Sequence, residues 1–313
     1  MTVSILRSDG GWWVQTPAGA AMIDTSAVST AELLADRRAI EVAAVADGPV
    51  VPVDRLVLRS PITAPCRVIA QMTNYRSHIR DSGMDPDTVP LTFFRKSSGS
   101  LSGPFDDIVR PGHVCFLDYE VEIGLVIGTT IPVGTRVEES DLARYVAGLV
   151  VTNDVSARDL QLPKTQFYES KSYPTFTPAG PALVLLDADE LEHFPDLRLR
   201  LTVNGEPRQD SMVAADMVFR PAAALTALAR FQRLDPGDVV LTGTPGGTAL
   251  RAPAKPVEIL GSLLPPALRW KAFFKRQAGN RNYLRAGDVI EAGVGTDDGA
   301  IILGTQRTVV RDA

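Results

Sequence analysis

Three acidic side chains alternate along one short stretch, Asp118-Tyr119-Glu120-Val121-Glu122, and an Asn153-Asp154 pair follows about thirty residues later. On a β-strand the period of two sends Glu120 and Glu122 to one face, with Cα atoms ~7 Å apart. Carboxylates held that close repel one another and lose hydration unless a cation or a proton separates them. The run that follows, Ile123-Gly124-Leu125-Val126-Ile127-Gly128, is apolar and takes the strand into a core. A hard, oxygen-preferring divalent ion is the simplest way to hold the pair, with Asp154 as a third anionic ligand from the next strand. Asn153-Asp154 ends the apolar run Val146 to Val151, where a buried strand delivers a polar tip into a cleft. The competing reading is a set of salt-bridged carboxylates facing solvent.

His78 is the second candidate. It lies in Asn74-Tyr75-Arg76-Ser77-His78-Ile79-Arg80-Asp81, three residues before Asp81, so the two share a face if the stretch is helical. A carboxylate bonded to one ring nitrogen fixes the tautomer and raises the basicity of the other, as a general base for water requires. A lone histidine is otherwise a packing residue, and His113 and His193 have no comparable neighbour. Arg158 and Lys171 bring positive charge close in sequence to the proposed ligands, or simply balance local acids; Lys96 reads the same way. Gly243-Thr244-Pro245-Gly246-Gly247 is first of all a turn, and its glycines would also let backbone N–H groups approach a bound molecule.

These residues need a scaffold, and the pattern predicts a β-rich one with decorating helices rather than strict βαβ alternation. Residues 1–62 read as a small α/β unit: Gly10-Gly11 turns the chain before Trp12-Trp13-Val14, and Thr30 caps a short helix through Arg38. Pro49, Pro52, Pro61 and Pro65 punctuate a boundary to a larger unit, 63–313. There, β runs fall at 67–72, 121–127, 146–153, 182–186, 197–203, 238–242, 288–292 and 300–303. Helical stretches fall at 75–82, 139–145, 221–233 and 266–277. Asn204-Gly205 between two strand-like runs signals a type I′ hairpin. The segment 251–283, rich in proline, lysine and arginine, is an insert whose middle, Trp270 to Gln277, reads as an amphipathic helix; it could be a lid, a dimer contact or a surface elaboration.

Composition narrows the function. Hydrophobic residues are 45% and charged residues 22% of 313, ordinary for a globular protein, and a net charge of −5 gives no general affinity for nucleic acid or an acidic membrane. No apolar run approaches the ~20 residues of a membrane span, and the amino terminus lacks a secretory pattern, so the cytoplasm is the expected location. Cys66 and Cys115 have no partner motif and read as buried small hydrophobes. Gly293-Val294-Gly295 has no following helix, so a dinucleotide fingerprint fails its context; Walker-type loops and nucleophile elbows are absent.

Taken together, these stretches resemble the fumarylacetoacetate hydrolase family. The match runs from about Val68 to Gly304 and touches the first 60 residues only weakly. It rests on Asn74-Tyr75 through His78, Asp118-Tyr119-Glu120-Val121-Glu122, Asn153-Asp154 through Gln161, Lys171-Ser172, Val203-Asn204-Gly205-Glu206 and Thr242-Gly243-Thr244-Pro245. The resemblance implies an α+β, mostly β protein: a mixed β-roll core with decorating helices, usually assembled as a homodimer, binding Mg²⁺ or Mn²⁺ with Ca²⁺ as a substitute. Glu120, Glu122 and Asp154 fall on the family's metal-ligand positions and His78 on its base. Asp81 stands where hydrolytic members often carry a glutamate, and Lys171 joins these as a catalytic residue. Arg158 and Gln161 fall near the substrate, Thr244 on the turn that closes over its carboxylate, and Tyr75 and Lys96 complete the expected binding set. The implied activity is metal-dependent hydrolysis of a C–C bond in an acylpyruvate-like or β-diketo acid. The alternative is a 2-oxo acid decarboxylase, hydratase or isomerase on the same scaffold.

Overall fold

A computed structural model describes residues 2–45, 48–252 and 265–313. At its centre the strands Val121–Ile127 and Val146–Asn153 pair antiparallel, with every residue of both buried. Their continuous aliphatic and β-branched runs require cover on both faces. Val121, Ile123, Leu125 and Ile127 enter one apolar cluster together with Leu149 and Val151 of the neighbouring strand, while Val126 enters a second cluster. Gly124 lets the strands close: a Cβ there would come within 2.7 Å of Val150 Cγ1.

These strands belong to an eleven-stranded mixed sheet. It runs Val50–Val51, Gly19–Met22, Gly11–Thr16, Val3–Ser8, Leu183–Leu185, Val146–Asn153, Val121–Ile127, Val239–Leu241, Val68–Met72, Thr92–Lys96, with Leu58–Arg59 beside Val3–Ser8. Most pairs are antiparallel; Val239–Leu241 and Val68–Met72 are parallel. A second sheet orders Glu206–Met212, Leu197–Val203, Val289–Thr296, Ile302–Asp312 and Ile108–Arg110. Leu199, Leu201, Ile290 and Leu303 of that sheet join the cluster of Val121, Leu125 and Val151, so the main core lies between the two. This is the mixed β core with helices around it that the sequence predicts.

The amino-terminal strands are continuous with the large sheet. Ile5 lies opposite Leu183, and Ile5, Trp12 and Val14 pack with Val68, Ala70, Val126 and Val239 in one cluster.

Local signals hold in part. Asn204 and Gly205 both have positive φ, 53° and 78°, between the paired residues Val203 and Glu206, the geometry of a type I′ turn. The first helix is capped by Ser29 rather than Thr30. Ser29 and Glu32 form a reciprocal capping box, while the Thr30 hydroxyl donates to the Pro61 carbonyl at 2.8 Å. That helix stops at Ala35, and a second, Arg37–Val45, follows. The final strands, Val289–Thr296 and Ile302–Asp312, outrun their apolar signals because cross-strand pairing carries them through glycine and polar positions. Of the insert, 253–264 lie outside the described residues; Pro266–Gln277 is helical. Cys66 is half-buried, but Cys115 is exposed rather than buried, and both are free thiols. Among the described residues no helix is long and apolar enough to cross a membrane.

Candidate active site

Strand register positions the acids. Val121 lies opposite Asn153, and just beyond that pair the Asp154 N–H donates to the Glu120 carbonyl at 2.8 Å. The Asn153 side chain adds a strut, its Oδ1 accepting from the Glu120 N–H at 2.9 Å. Glu120, Glu122 and Asp154 converge: one oxygen from each lies within 4.8 Å of the others, and all three residues are buried.

Much of their repulsion is offset by the protein itself. Arg158 donates to Asp118 Oδ2 at 2.9 Å and to Glu120 Oε1 at 2.5 Å. Lys171 Nζ bridges Glu120 and Asp154, 2.6 Å from each, and Lys96 reaches the other Asp154 oxygen at 2.5 Å. Four buried carboxylates therefore meet three buried cations. Glu122 is the one with no ion pair among the described residues; its Oε2 accepts only the Gly243 N–H, at 2.8 Å. Burial, with Asp154 and Glu120 alongside, pushes the Glu122 carboxyl well above the usual range. Burial also opposes ionisation of Glu120, but Arg158 and Lys171 hold that carboxyl well below the usual range.

The cluster thus keeps a surplus negative charge at Glu122, which a proton or a cation must meet. A divalent ion fits this donor set. The three oxygens are hard ligands, and each carboxylate oxygen bonded to a lysine or arginine retains a second lone pair. The sequence offered an ion as the simplest way to hold the acids and left Arg158, Lys171 and Lys96 the alternative of balancing local acids; in the structure these three cations pair with Asp118, Glu120 and Asp154, and Glu122 is what remains for an ion.

His78 sits on the helix Arg76–Asp81, 8% exposed, and its Nδ1 has no hydrogen-bond partner among the described residues. Burial lowers its pKa, against the attraction of Glu120, so the ring is neutral at pH 7. Asp81 was expected to orient it and does not. Its Oδ2 accepts the Gly247 N–H at 3.1 Å, because the end of this short helix faces a glycine turn whose N–H groups need acceptors. Ser77 acts alike: its Oγ accepts the Gly246 N–H at 2.7 Å, while its own N–H and hydroxyl go to Asp216. The N–H groups of Gly243, Gly246 and Gly247 are therefore committed to Glu122, Ser77 and Asp81, not free for a ligand as the turn reading allowed. The turn is fixed from the other side by Gln209, which donates to Thr244 Oγ1 at 2.9 Å and to the Pro245 carbonyl at 2.8 Å.

One cavity of about 850 Å³ gathers Glu120, Glu122, Asp154, His78, Lys171, Gln161 and Thr244 at its wall. Arg158, Lys96, Tyr75 and Asp81 do not line it. Arg158 and Lys96 stand behind the acids and position them. Tyr75 is fully buried. Tyr75, Arg158 and Lys96, expected at the substrate, lie off the cavity wall.

Other residues at the site were given no role by the sequence pattern. Asp118, the first acid of the alternating stretch, accepts the Ala249 and Leu250 N–H groups at 2.8 and 3.0 Å as well as Arg158. Gln71 and Thr73, at the end of Val68–Met72, line the cavity with a buried amide nitrogen and hydroxyl that have no partner among the described residues. Buried donors of this kind cost free energy unless a ligand or water satisfies them. Phe94, Phe167, Trp270 and Phe273 add an aromatic wall, and Lys171 Nζ lies 5.1 Å from the Phe94 ring centre.

The family profile described as fumarylacetoacetate (FAA) hydrolase C-terminal matches residues 67–311. Oxaloacetate tautomerase FAHD2A, mitochondrial, from Bos taurus is 36% identical over 204 residues, 64% of this chain and 63% of that protein. The fumarylacetoacetate hydrolase domain-containing protein 2 homolog of Dictyostelium discoideum is 34% identical over 215 residues, 66% of this chain and 68% of its own. The chain thus matches less than two thirds of the length of the bovine relative. Among solved structures, a probable 2-hydroxyhepta-2,4-diene-1,7-dioate isomerase from Mycobacterium abscessus is 32% identical with a TM-score of 0.74, covering 100% of this chain and 99% of that one. The fumarylacetoacetate hydrolase of Exiguobacterium antarcticum is 26% identical with a TM-score of 0.71, over 100% of each chain. With a profile match over most of its length and the same fold in these structures, this chain belongs to the fumarylacetoacetate hydrolase family.

Proposed function

We propose that this chain interconverts the keto and enol forms of a 2-oxo acid with the help of a divalent ion, Mg²⁺ or Mn²⁺, held by Glu120, Glu122 and Asp154. The observation that carries the reading is the convergence of those three carboxylates on the same cavity as a buried His78. When bound, the ion supplies Lewis-acid polarisation of the 2-oxo group. His78 takes a proton from the carbon beside that group, and the proton returns on oxygen, or the reverse. Lys171, whose pKa is raised by Asp154 and Glu120 despite burial, stays protonated and offers positive charge to the developing enolate. Gln71 and Thr73 supply the unpartnered polar groups that orient the acid. The similarity to proteins named as a tautomerase and an isomerase supports this choice.

Hydrolysis of a C–C bond in an acylpyruvate-like acid is the second reading. It is favoured by the neutral imidazole, which could take a proton from water, and weakened by the engagement of Asp81 with Gly247, which leaves that ring without a carboxylate to orient it. Ultraviolet absorbance of oxaloacetate, freshly dissolved as its enol, with Mg²⁺ and purified protein tests the first reading. The enol signal should decay faster than with Mg²⁺ alone, and an unchanged decay overturns it. Release of pyruvate from an acylpyruvate, followed by mass, would instead support hydrolysis.

A further inference from the structure

The helix Pro266–Gln277 is not needed to hold the acids, yet Arg269, Trp270, Phe273 and Arg276 on it line the same cavity as Glu120, Glu122 and Asp154. It is docked by its remaining aromatic side chain. Phe274 stacks on Phe116 with ring centres 5.2 Å apart, Tyr283 packs edge-on against Phe116, and Tyr283 Oη bonds Gln277 Oε1 at 3.2 Å. Trp270 and Phe273 are half-buried and edge-to-face at 5.8 Å. A second aromatic pair in the cavity, Phe94 and Phe167, stacks at 5.1 Å beside the catalytic lysine.

At about 850 Å³ the cavity is in the range that encloses a drug-sized ligand, roughly 300–1,000 Å³. A four-carbon 2-oxo acid held by the carboxylates, His78, Gln71 and Thr73 would fill only part of that space, leaving room beside Trp270 and Phe273. Arg251, Arg269 and Arg276 are exposed on its wall with no ion pair among the described residues, which favours the approach of an anion. From this juxtaposition of an acid-binding head and a roomy aromatic annex we infer that the preferred substrate is a 2-oxo acid with a flat aromatic tail, and that Trp270 and Phe273 form the subsite for it. The inference rests on the enolisation reading above and adds to it the class of acid.

Two measurements on the full chain with Mg²⁺ test it. The first compares kcat/KM for phenylpyruvate with that for oxaloacetate in the wild type and in the Trp270→Ala, Phe273→Ala double variant. The ratio should fall by roughly tenfold on losing two aromatic contacts; equal loss for both acids, or no loss, overturns the subsite. The second is binding, read as quenching of tryptophan fluorescence by phenylpyruvate. Saturable quenching in the wild type that disappears in Trp270→Phe supports the subsite. Quenching absent in the wild type, or kept at full size in Trp270→Phe, overturns it. If neither acid is turned over, the enolisation reading falls while the fluorescence titration still decides the subsite.

Discussion

Glu122 differs from its neighbours in the company it keeps. Glu120 and Asp154 are each held by two side-chain cations, whereas Glu122 has, among the described residues, the Gly243 N–H alone. Glu122→Gln preserves the shape and that bond while removing the surplus charge. Titration calorimetry should show Mn²⁺ binding weakened by at least about tenfold, with thermal stability in metal-free buffer equal or higher; unchanged Mn²⁺ affinity would place the ion elsewhere. His78→Ala should cost ~10²–10⁴-fold in rate if the imidazole carries the proton. Because burial lowers its pKa from the ordinary 6.5, wild-type activity should hold through neutral pH and fall only below the usual histidine range. The stability linkage has the same sign. Between the lowered folded pKa and 6.5 the unfolded chain binds more protons, so stability is present above 6.5 and lost as pH falls below it. Melts at pH 7.5 and pH 5.5 should therefore converge more for His78→Ala than for the wild type.

The turn Gly243 to Gly247 and the helix Arg76–Asp81 are joined by two bonds, through Ser77 and Asp81, with Asp216 bracing Ser77 from a third element, so the element carrying His78 is aimed by a turn more than 160 residues away. Gly247 is essential to that junction. Its φ is +100°, and a Cβ would come within 2.0 Å of the Arg208 carbonyl oxygen. Gly247→Ala should cost more than ~2 kcal/mol in urea unfolding, since strain at positive φ and a backbone clash add. Gly205→Ala is the control: φ is +78° but nothing lies within 4 Å, so only ~1–2 kcal/mol of strain is expected. Equal costs would show that the clash relaxes freely.

At the level of the whole chain, the amino-terminal strands cover the edge of Leu183–Leu185 and bury Ile5, Trp12 and Val14 against the central sheet. Expression of residues 63–313 alone should give insoluble or partly unfolded protein, because it bares both a strand edge and an apolar face. A soluble, cooperatively melting fragment would show that the larger unit is independent. The family resemblance implies a homodimer, and light scattering should give twice the chain mass of 33.6 kDa; a monomeric mass would contradict it.

Periodicity was enough to read the central strands and the alternation that puts Glu120 and Glu122 on one face, because side-chain direction on a strand depends on local geometry alone. The Asn204-Gly205 turn was legible for the same reason: its conformation is a property of two residues. The partners of the acids were not. Lys96 and Lys171 reach Asp154 across 58 and 17 positions, and Asp81 turns to Gly247 across 166. Such choices depend on which groups packing brings within hydrogen-bond reach and which of them would otherwise be buried unpaired, and no local pattern encodes that competition.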